Sequence, residues 1–119
     1  MKIYQVNNRT NNKNIARRAL KADTFYLRLK GLLLTKQLDS ENGLIIEPCQ
    51  AIHMFFMTYS IDVIFYDKNQ YVVALVEAIK PWQFSQVYPL ALACIELPVG
   101  TIMRSGTKLN DQLDISLIN

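Results

Sequence analysis

Short alternating runs of apolar and polar residues fill most of this chain, and one stretch keeps a helical period. Lys2 to Val6 alternates and predicts a first strand. Asn7 to Asn14 is rich in Asn and Thr and predicts a turn or loop. Ile15 to Ala22 supports two readings: its Ala, Arg, Leu and Lys favour helix by propensity, and a short strand before Asp23 fits as well. From Asp23 the period lengthens. Asp23 or Thr24 can cap a helix by accepting a backbone N–H. Phe25, Leu29, Leu32 and Leu33 then fall at i, i+4, i+7 and i+8, one apolar face, with Arg28 and Lys30 towards the others. Gly31 inside this pattern costs about 1 kcal/mol against Ala and marks a close approach to another backbone. Residues 35 to 42 read as a polar connection.

Beyond it the pattern is β again. Gly43 to Glu47 is an apolar strand stopped by Pro48, and Ile52 to Met57 a second extended segment. Thr58, Tyr59 and Ser60 link it to Ile61–Tyr66. Asp67-Lys68-Asn69-Gln70 is a turn in which Asn69 can take the left-handed conformation, and Tyr71 to Ala78 returns as the second arm of a hairpin. Lys80 to Pro89 is a loop. Leu90 to Leu97 is a strand stopped by Pro98, Gly100-Thr101 opens a short helical turn that Gly106 can close, and Leu113 to Ile118 ends as a strand. One main helix amid six or seven strands predicts an α+β domain with a mainly antiparallel, curved sheet or open barrel. With 119 residues and no linker or repeat, the whole chain reads as one domain.

Composition narrows the function classes. No apolar run approaches the roughly 20 residues of a membrane span. The first residues lack an apolar signal region, so the cytoplasm is the default location, although a mature exported form would read the same. The net charge of +3 conceals an asymmetry: residues 1 to 36 carry +8 and residues 37 to 119 carry −5. The positives are spread among Asn, Thr and Ala without stacking aromatics, which argues for pairing with the acidic remainder and against a nucleic-acid site. Nothing in the pattern sets an oligomeric state.

Chemistry concentrates between Glu47 and Tyr66, which holds the single histidine, one of two cysteines and two of four methionines. Cys49 and His53 could form a thiol hydrolase pair, because a cysteine nucleophile needs a base. On extended chain, however, positions four apart lie about 13 Å from each other. Cys49, His53, Met54 and Met57 could hold copper(I), but no second His and no paired-cysteine motif support it, so no metal and no cofactor are expected. Cys49 and Cys94 can pair only if the fold brings them together. Asp62 sits inside Ile-Asp-Val-Ile-Phe and by alternation shares a face with Ile64 and Tyr66. Buried there, it needs hydrogen bonds, and the expected role is to fix the 57 to 61 turn. Glu47 and Glu96 precede prolines and invite a similar reading. Phe55, Phe56, Trp82 and Phe84 could wall an apolar pocket with Tyr59 and Tyr88 as polar tips.

These residues also form a recognisable series. Ala22-Asp23-Thr24, Arg28-Leu29-Lys30-Gly31-Leu32, Gly43-Leu44 and Glu47-Pro48-Cys49 come in order. Ile52-His53-Met54-Phe55-Phe56-Met57, Ile61-Asp62-Val63-Ile64-Phe65, Lys80-Pro81-Trp82 and Glu96-Leu97-Pro98-Val99-Gly100-Thr101 follow. Together they resemble number 192 in the domain-of-unknown-function series, also called uncharacterised protein family 0127. The resemblance runs from about Ile15 to near the end. It implies a small, mostly β domain with one helix and an extended segment before Ala22, so Ile15 to Lys21 is expected as strand. It brings no activity, substrate or cofactor. Two turns depart from the family's pattern, Leu109-Asn110-Asp111 in place of Val-Gly-Asp and Asn69-Gln70 in place of a Gly turn; Asn tolerates the left-handed conformation in both.

The leading expectation is a non-enzymatic binding module with a small apolar and polar cleft built from His53, Phe56, Tyr59, Asp62 and Trp82, taking a small-molecule ligand. The rivals are a hydrolase-like enzyme on Cys49 and His53 or on buried carboxylates, and a structural or protein-interaction domain that uses a sheet edge.

Overall fold

The computed structural model describes residues 2–22, 41–55 and 57–119. Among the described residues seven strands carry the fold: β1 (Ile3–Asn8), β2 (Lys13–Ala22), β3 (Asn42–Ile46), β4 (Ile61–Tyr66), β5 (Val72–Ile79), β6 (Ala93–Pro98) and β7 (Leu113–Leu117). A short helix, α1 (Thr101–Ser105), lies between β6 and β7 and is closed by Gly106 in the left-handed conformation. The strands form one sheet in the order β5-β4-β6-β3-β2-β1-β7. Neighbours are antiparallel except β2 and β3, which run parallel. The sheet curls until its two edge strands touch at one end. There Val72 N–H donates to the Asp111 carbonyl and Leu113 N–H to the Gln70 carbonyl, each at 2.8 Å. The result is a half-barrel that is mostly strand.

Most expected strands are present within one to three residues. β2 is extended despite its helical composition, because its backbone is claimed on both sides by β1 and β3. Three details differ. In the extended segment Ile52 to Met57, the described residues lie outside the named strands of the sheet, with one bridge among them, His53 to Phe84. β6 starts at Ala93, since residues 89–92 turn first. In the hairpin turn the left-handed residue is Gln70 (φ 66°), not Asn69, whose N–H is instead held by the Asp67 carboxylate at 2.9 Å. Asn110 does take the left-handed conformation, at φ 70°. The expected main helix from Asp23 lies outside the described residues, as does Phe56; among those described, helix is limited to α1.

Both faces of the central strands are covered, which is why β4 is buried at every position. Ile64 and Tyr66 join Val6, Ile15, Ile95, Ile102 and Leu113 on one face. Ile61, Val63 and Phe65 join Ile46, Ile52, Met54, Met57 and Cys94 on the other. β3 fits closely against β6 because Gly43 has no side chain: a Cβ there would come within 3.1 Å of Leu97 and 3.3 Å of the Glu96 carbonyl.

Alternation places Asp62 on the Ile64 face, where it is 1% exposed. One carboxyl oxygen accepts from Gly100 N–H at 3.1 Å and Ile102 N–H at 3.0 Å. These are donors at the start of α1, where Gly100 has no side chain to cap them. The other oxygen accepts from Ala78 N–H at 2.9 Å. Opposite Asp62, β5 carries one residue more than β4, a bulge at Glu77 and Ala78 with Ala78 at φ 50°. Asp62 thus ties a bulge and a helix start to β4; none of these three bonds goes to the expected 57 to 61 turn. Asp62→Ala removes the acceptor of three backbone donors, that of Ile102 buried and those of Ala78 and Gly100 partly so, and should lower unfolding free energy by about 2 to 4 kcal/mol. Urea unfolding is the measurement, and a midpoint equal to wild type would contradict this role for the carboxyl.

Candidate functional site

Residues 51 to 55 run extended over the sheet with sides alternating: Ile52 and Met54 are buried, while Ala51, His53 and Phe55 are exposed. The loop after β5 lies along this strip. Met54 N–H donates to the Gln83 carbonyl at 2.7 Å, Trp82 N–H to the Met54 carbonyl at 2.8 Å, Ser85 N–H to the Ile52 carbonyl at 2.9 Å and Tyr88 N–H to the Gln50 carbonyl at 2.8 Å. The Ser85 hydroxyl accepts from Ile52 N–H at 3.0 Å. A ladder this regular fixes the loop, and it presents aromatic side chains outward. His53 stacks on Phe55 with centroids 4.8 Å apart, and Phe55 approaches Trp82 at 6.0 Å. Trp82 is 59% exposed and Phe84 72% exposed.

Behind this row is an open groove of about 560 Å³ between the bulged end of β5 and the loop, lined by Val76, Glu77, Ile79, Trp82, Phe84 and Tyr88 among others. Tyr88 continues into the core, its ring 4.7 Å from that of Phe65. Of the expected site residues, Trp82 lines the groove and His53 and Phe55 extend its aromatic rim. Asp62 lies beneath, with its oxygens on backbone donors; it shapes the wall through Ala78. Tyr59 is half-buried and sits elsewhere, in the field of Glu96. Met54 and Met57 are buried in the apolar core. The extra wall residues Val76 and Glu77 come from the bulge, which no single-sequence signal marks.

A second cluster occupies the face of β6 that carries Cys94 and Glu96. Both are buried. The Cys94 thiol donates to the Cys49 sulfur at 3.4 Å, and the Cys49 thiol donates to the Ala51 carbonyl at 3.2 Å. No disulfide joins them. The hydrogen bond to Cys49 and then burial hold the Cys94 thiol well above its ordinary range. Burial, and secondarily Cys49, pushes the Glu96 carboxyl up to about 8. One Glu96 oxygen, Oε1, has no hydrogen-bond partner among the described residues. Burial, then the Glu96 charge, raises the Tyr59 phenol. The described contacts of the Cys49 thiol run to Ala51 and Cys94, and those of the His53 ring to Phe55. Among the described residues no group of three or more His, Cys, Asp or Glu is placed to hold a metal ion.

The model of the domain family DUF192, described as "Uncharacterized ACR", matches residues 6–115. The chain belongs to this family. A UPF0127 protein of Thermococcus sibiricus is 39% identical over 112 residues, covering 90% of this chain and 71% of that protein. A second, from Thermococcus kodakarensis, is 38% identical over 86 residues, covering 68% of this chain and 54% of that protein. Two crystal structures share the fold. A protein of unknown function from Novosphingobium aromaticivorans superposes with a TM-score of 0.79 at 23% identity, over 94% of this chain and 83% of that one. A putative transcription regulator from Sinorhizobium meliloti gives 0.78 at 17% identity, over 96% and 92%. At these identities the likeness is one of fold alone. No helix among the described residues is long and apolar enough to cross a membrane.

The Glu96 carboxyl makes a pH prediction. Its native value of about 8 lies above the ordinary 4.5, so the native state binds more protons between these values than the unfolded chain does. The sign follows: this group's contribution is whole below about pH 4.5 and is lost as pH rises towards 8. The loss approaches about 1.4 kcal/mol per pH unit. Glu96→Gln should remove that slope, seen by urea unfolding at a series of pH values; an unaltered slope would assign it to another group.

Proposed function

We propose that this protein is a non-enzymatic binding module that takes a small molecule with a flat apolar portion in the groove between β5 and residues 82–88. The exposure of Trp82 and Phe84 on a hydrogen-bonded loop carries this reading. A large aromatic ring left in water on an ordered backbone forgoes about 1.5 to 3 kcal/mol of burial, and a ligand would recover it. The groove falls within the roughly 300 to 1,000 Å³ range of small-molecule sites. It combines aromatic walls with Glu77, Gln83, Ser85 and Gln86, polar groups able to orient a bound molecule. His53 and Phe55 extend the apolar rim, and Asp62 holds the β5 wall in place from below. Phe56, outside the described residues, and Tyr59, beside Glu96, complete the residue set expected from the sequence. The enzyme reading built on Cys49 and His53 draws less support, because the Cys49 thiol meets Ala51 and Cys94 while His53 lies on the exposed side of residues 51 to 55.

The charge distribution supports a partner other than nucleic acid. Arg17 meets Glu41 at 3.4 Å, Lys21 meets Glu47 at 3.5 Å and Arg9 meets Asp114 at 3.9 Å. The Arg104 guanidinium is spent on the carbonyls of Asn14 and Ile15. Single-stranded RNA or duplex DNA should not be retained at about 0.15 M salt. Fluorescence anisotropy checks this, and retention that weakens on Arg17→Ala with Arg18→Ala would refute it.

A thermal-shift screen of small aromatic fragments tests the groove directly, since a binder raises the melting temperature by mass action. Trp82→Ala should abolish the fragment-induced shift while changing stability by less than about 1 kcal/mol, where loss of a buried plug would cost about 3 to 5 kcal/mol. A large stability loss, or fragment shifts that survive the substitution, would overturn the proposal.

A further inference from the structure

Cys49 and Cys94 lie 45 positions apart in the chain and end with their sulfurs 3.4 Å from each other. The backbone builds this contact. In the β3–β6 ladder Cys94 is opposite Ile46, and three residues after Ile46 the Cys49 N–H donates to the Leu92 carbonyl at 2.9 Å. The two chains that carry the sulfurs are thus already bonded side by side, and a covalent link needs a side-chain shift of little more than an ångström. The two sites differ in access. Cys94 is 0% exposed, and Cys49 is only partly covered. The Cys94 thiol keeps its proton and points it at the Cys49 sulfur. Glu96 follows two residues along β6 on the same face, a buried carboxyl with one oxygen lacking a hydrogen-bond partner among the described residues. Packing gives no reason for an acid there; a site that must move a proton does.

We propose that Cys49 and Cys94 form a dithiol centre that exchanges with low-molecular-weight disulfides, a function separate from the groove. The Cys49 thiol gives its proton to solvent, and its sulfur attacks one sulfur of the incoming disulfide. That S–S bond breaks, a mixed disulfide forms on Cys49, and the first small thiolate leaves and takes up a proton. Cys94 then passes its proton to Glu96 in its carboxylate form, which Glu96 takes as pH rises past about 8, and its sulfur attacks the Cys49 sulfur. The bond to the small thiol breaks as the Cys49–Cys94 bond forms, and the second thiolate leaves, taking the proton that Glu96 returns through solvent. Two protein thiols are oxidised by two electrons, and one small disulfide is reduced to two thiols.

The test uses the reduced full chain and bis(2-hydroxyethyl) disulfide under native conditions, followed by mass spectrometry and peptide mapping. Wild type should lose two hydrogen atoms, yield a Cys49–Cys94 cross-linked peptide and release two equivalents of 2-mercaptoethanol. Cys94→Ala should stop at the mixed disulfide on Cys49, and Cys49→Ala should not react. Glu96→Gln should form the mixed disulfide at the wild-type rate but resolve it at least about tenfold more slowly. Native alkylation of wild type with iodoacetamide keeps the test independent of variant folding: Cys49 should be modified first, and its modification should block cross-linking. Cross-linking seen only after denaturation, preferential alkylation of Cys94, or no cross-link in native wild type would overturn the dithiol centre. An unchanged second step in a folded Glu96→Gln protein would remove the carboxylate from it.

Discussion

Three backbone N–H groups converge on the carboxyl of Asp62, and much of the domain's shape depends on that convergence. Gly100 and Ile102 open α1, and Ala78 lies in the bulge of β5. A helix of one turn cannot hold itself together in water, because its nucleus is costly and its first donors are unpaired. Here a capping group is borrowed from a strand far away in the chain. The bulge faces the same difficulty: its extra residue removes an N–H from the ladder, and Ala78 is held in a conformation costing about 1 to 2 kcal/mol for a non-glycine residue. A single buried acid meets both needs. Through the bulge it also turns the chain out of β5 and into the aromatic loop.

Glu96 shows what a buried acid looks like without that treatment. It is as buried as Asp62 and lies on the opposite face of the neighbouring strand, yet one of its oxygens has no hydrogen-bond partner among the described residues. The physical consequence is a carboxyl that holds its proton to about pH 8. Desolvation accounts for most of that, since moving a charge out of water without compensating donors disfavours the ionised form. The two acids occupy adjacent strands, with Asp62 paired to Leu97 and Glu96 to Val63. They differ in local hydrogen bonding and not in depth.

The sequence carried the strands well where alternation and stop residues agreed. Ile61–Tyr66 is read correctly to the residue, and the Gly-bounded turn at α1 nearly so. β2 is the instructive case: its residues favour helix, and two neighbouring strands override them, so only the family resemblance led to the right assignment. The extended reading of the segment after Pro48 holds for residues 52–55, whose alternation is real; periodicity cannot tell that the alternating face packs on the sheet and not within it. The site was legible in its parts and not in its assembly. Trp82 and Phe84 stood out as excess aromatics in a loop. Val76 and Glu77 did not, because a bulge has no sequence signature here. Nor did the pairing of Cys49 with Cys94, which depends on the register that sets Ile46 opposite Cys94.

That register also explains how one short segment serves two places at once. Residues 49 to 54 leave β3 beside β6, where Cys49 meets Cys94, and then run outward to hydrogen-bond with the loop at Ser85, Gln83 and Trp82. Each backbone group so engaged removes freedom from the loop, which would otherwise let its aromatic side chains collapse onto the nearest apolar surface. Trp82 has φ at 68°, a conformation that bulky residues avoid. Its N–H is held at 2.8 Å by the Met54 carbonyl, and that bond belongs to a ladder of four. The surrounding bonds therefore over-determine the backbone, and the indole is kept outward against its own tendency to bury. Strain that persists because its surroundings enforce it is common where a side chain must be presented and uncommon where it only fills space. The exposure of Trp82 is for this reason enforced by the backbone around it, and is not that of a loop with no better place to go.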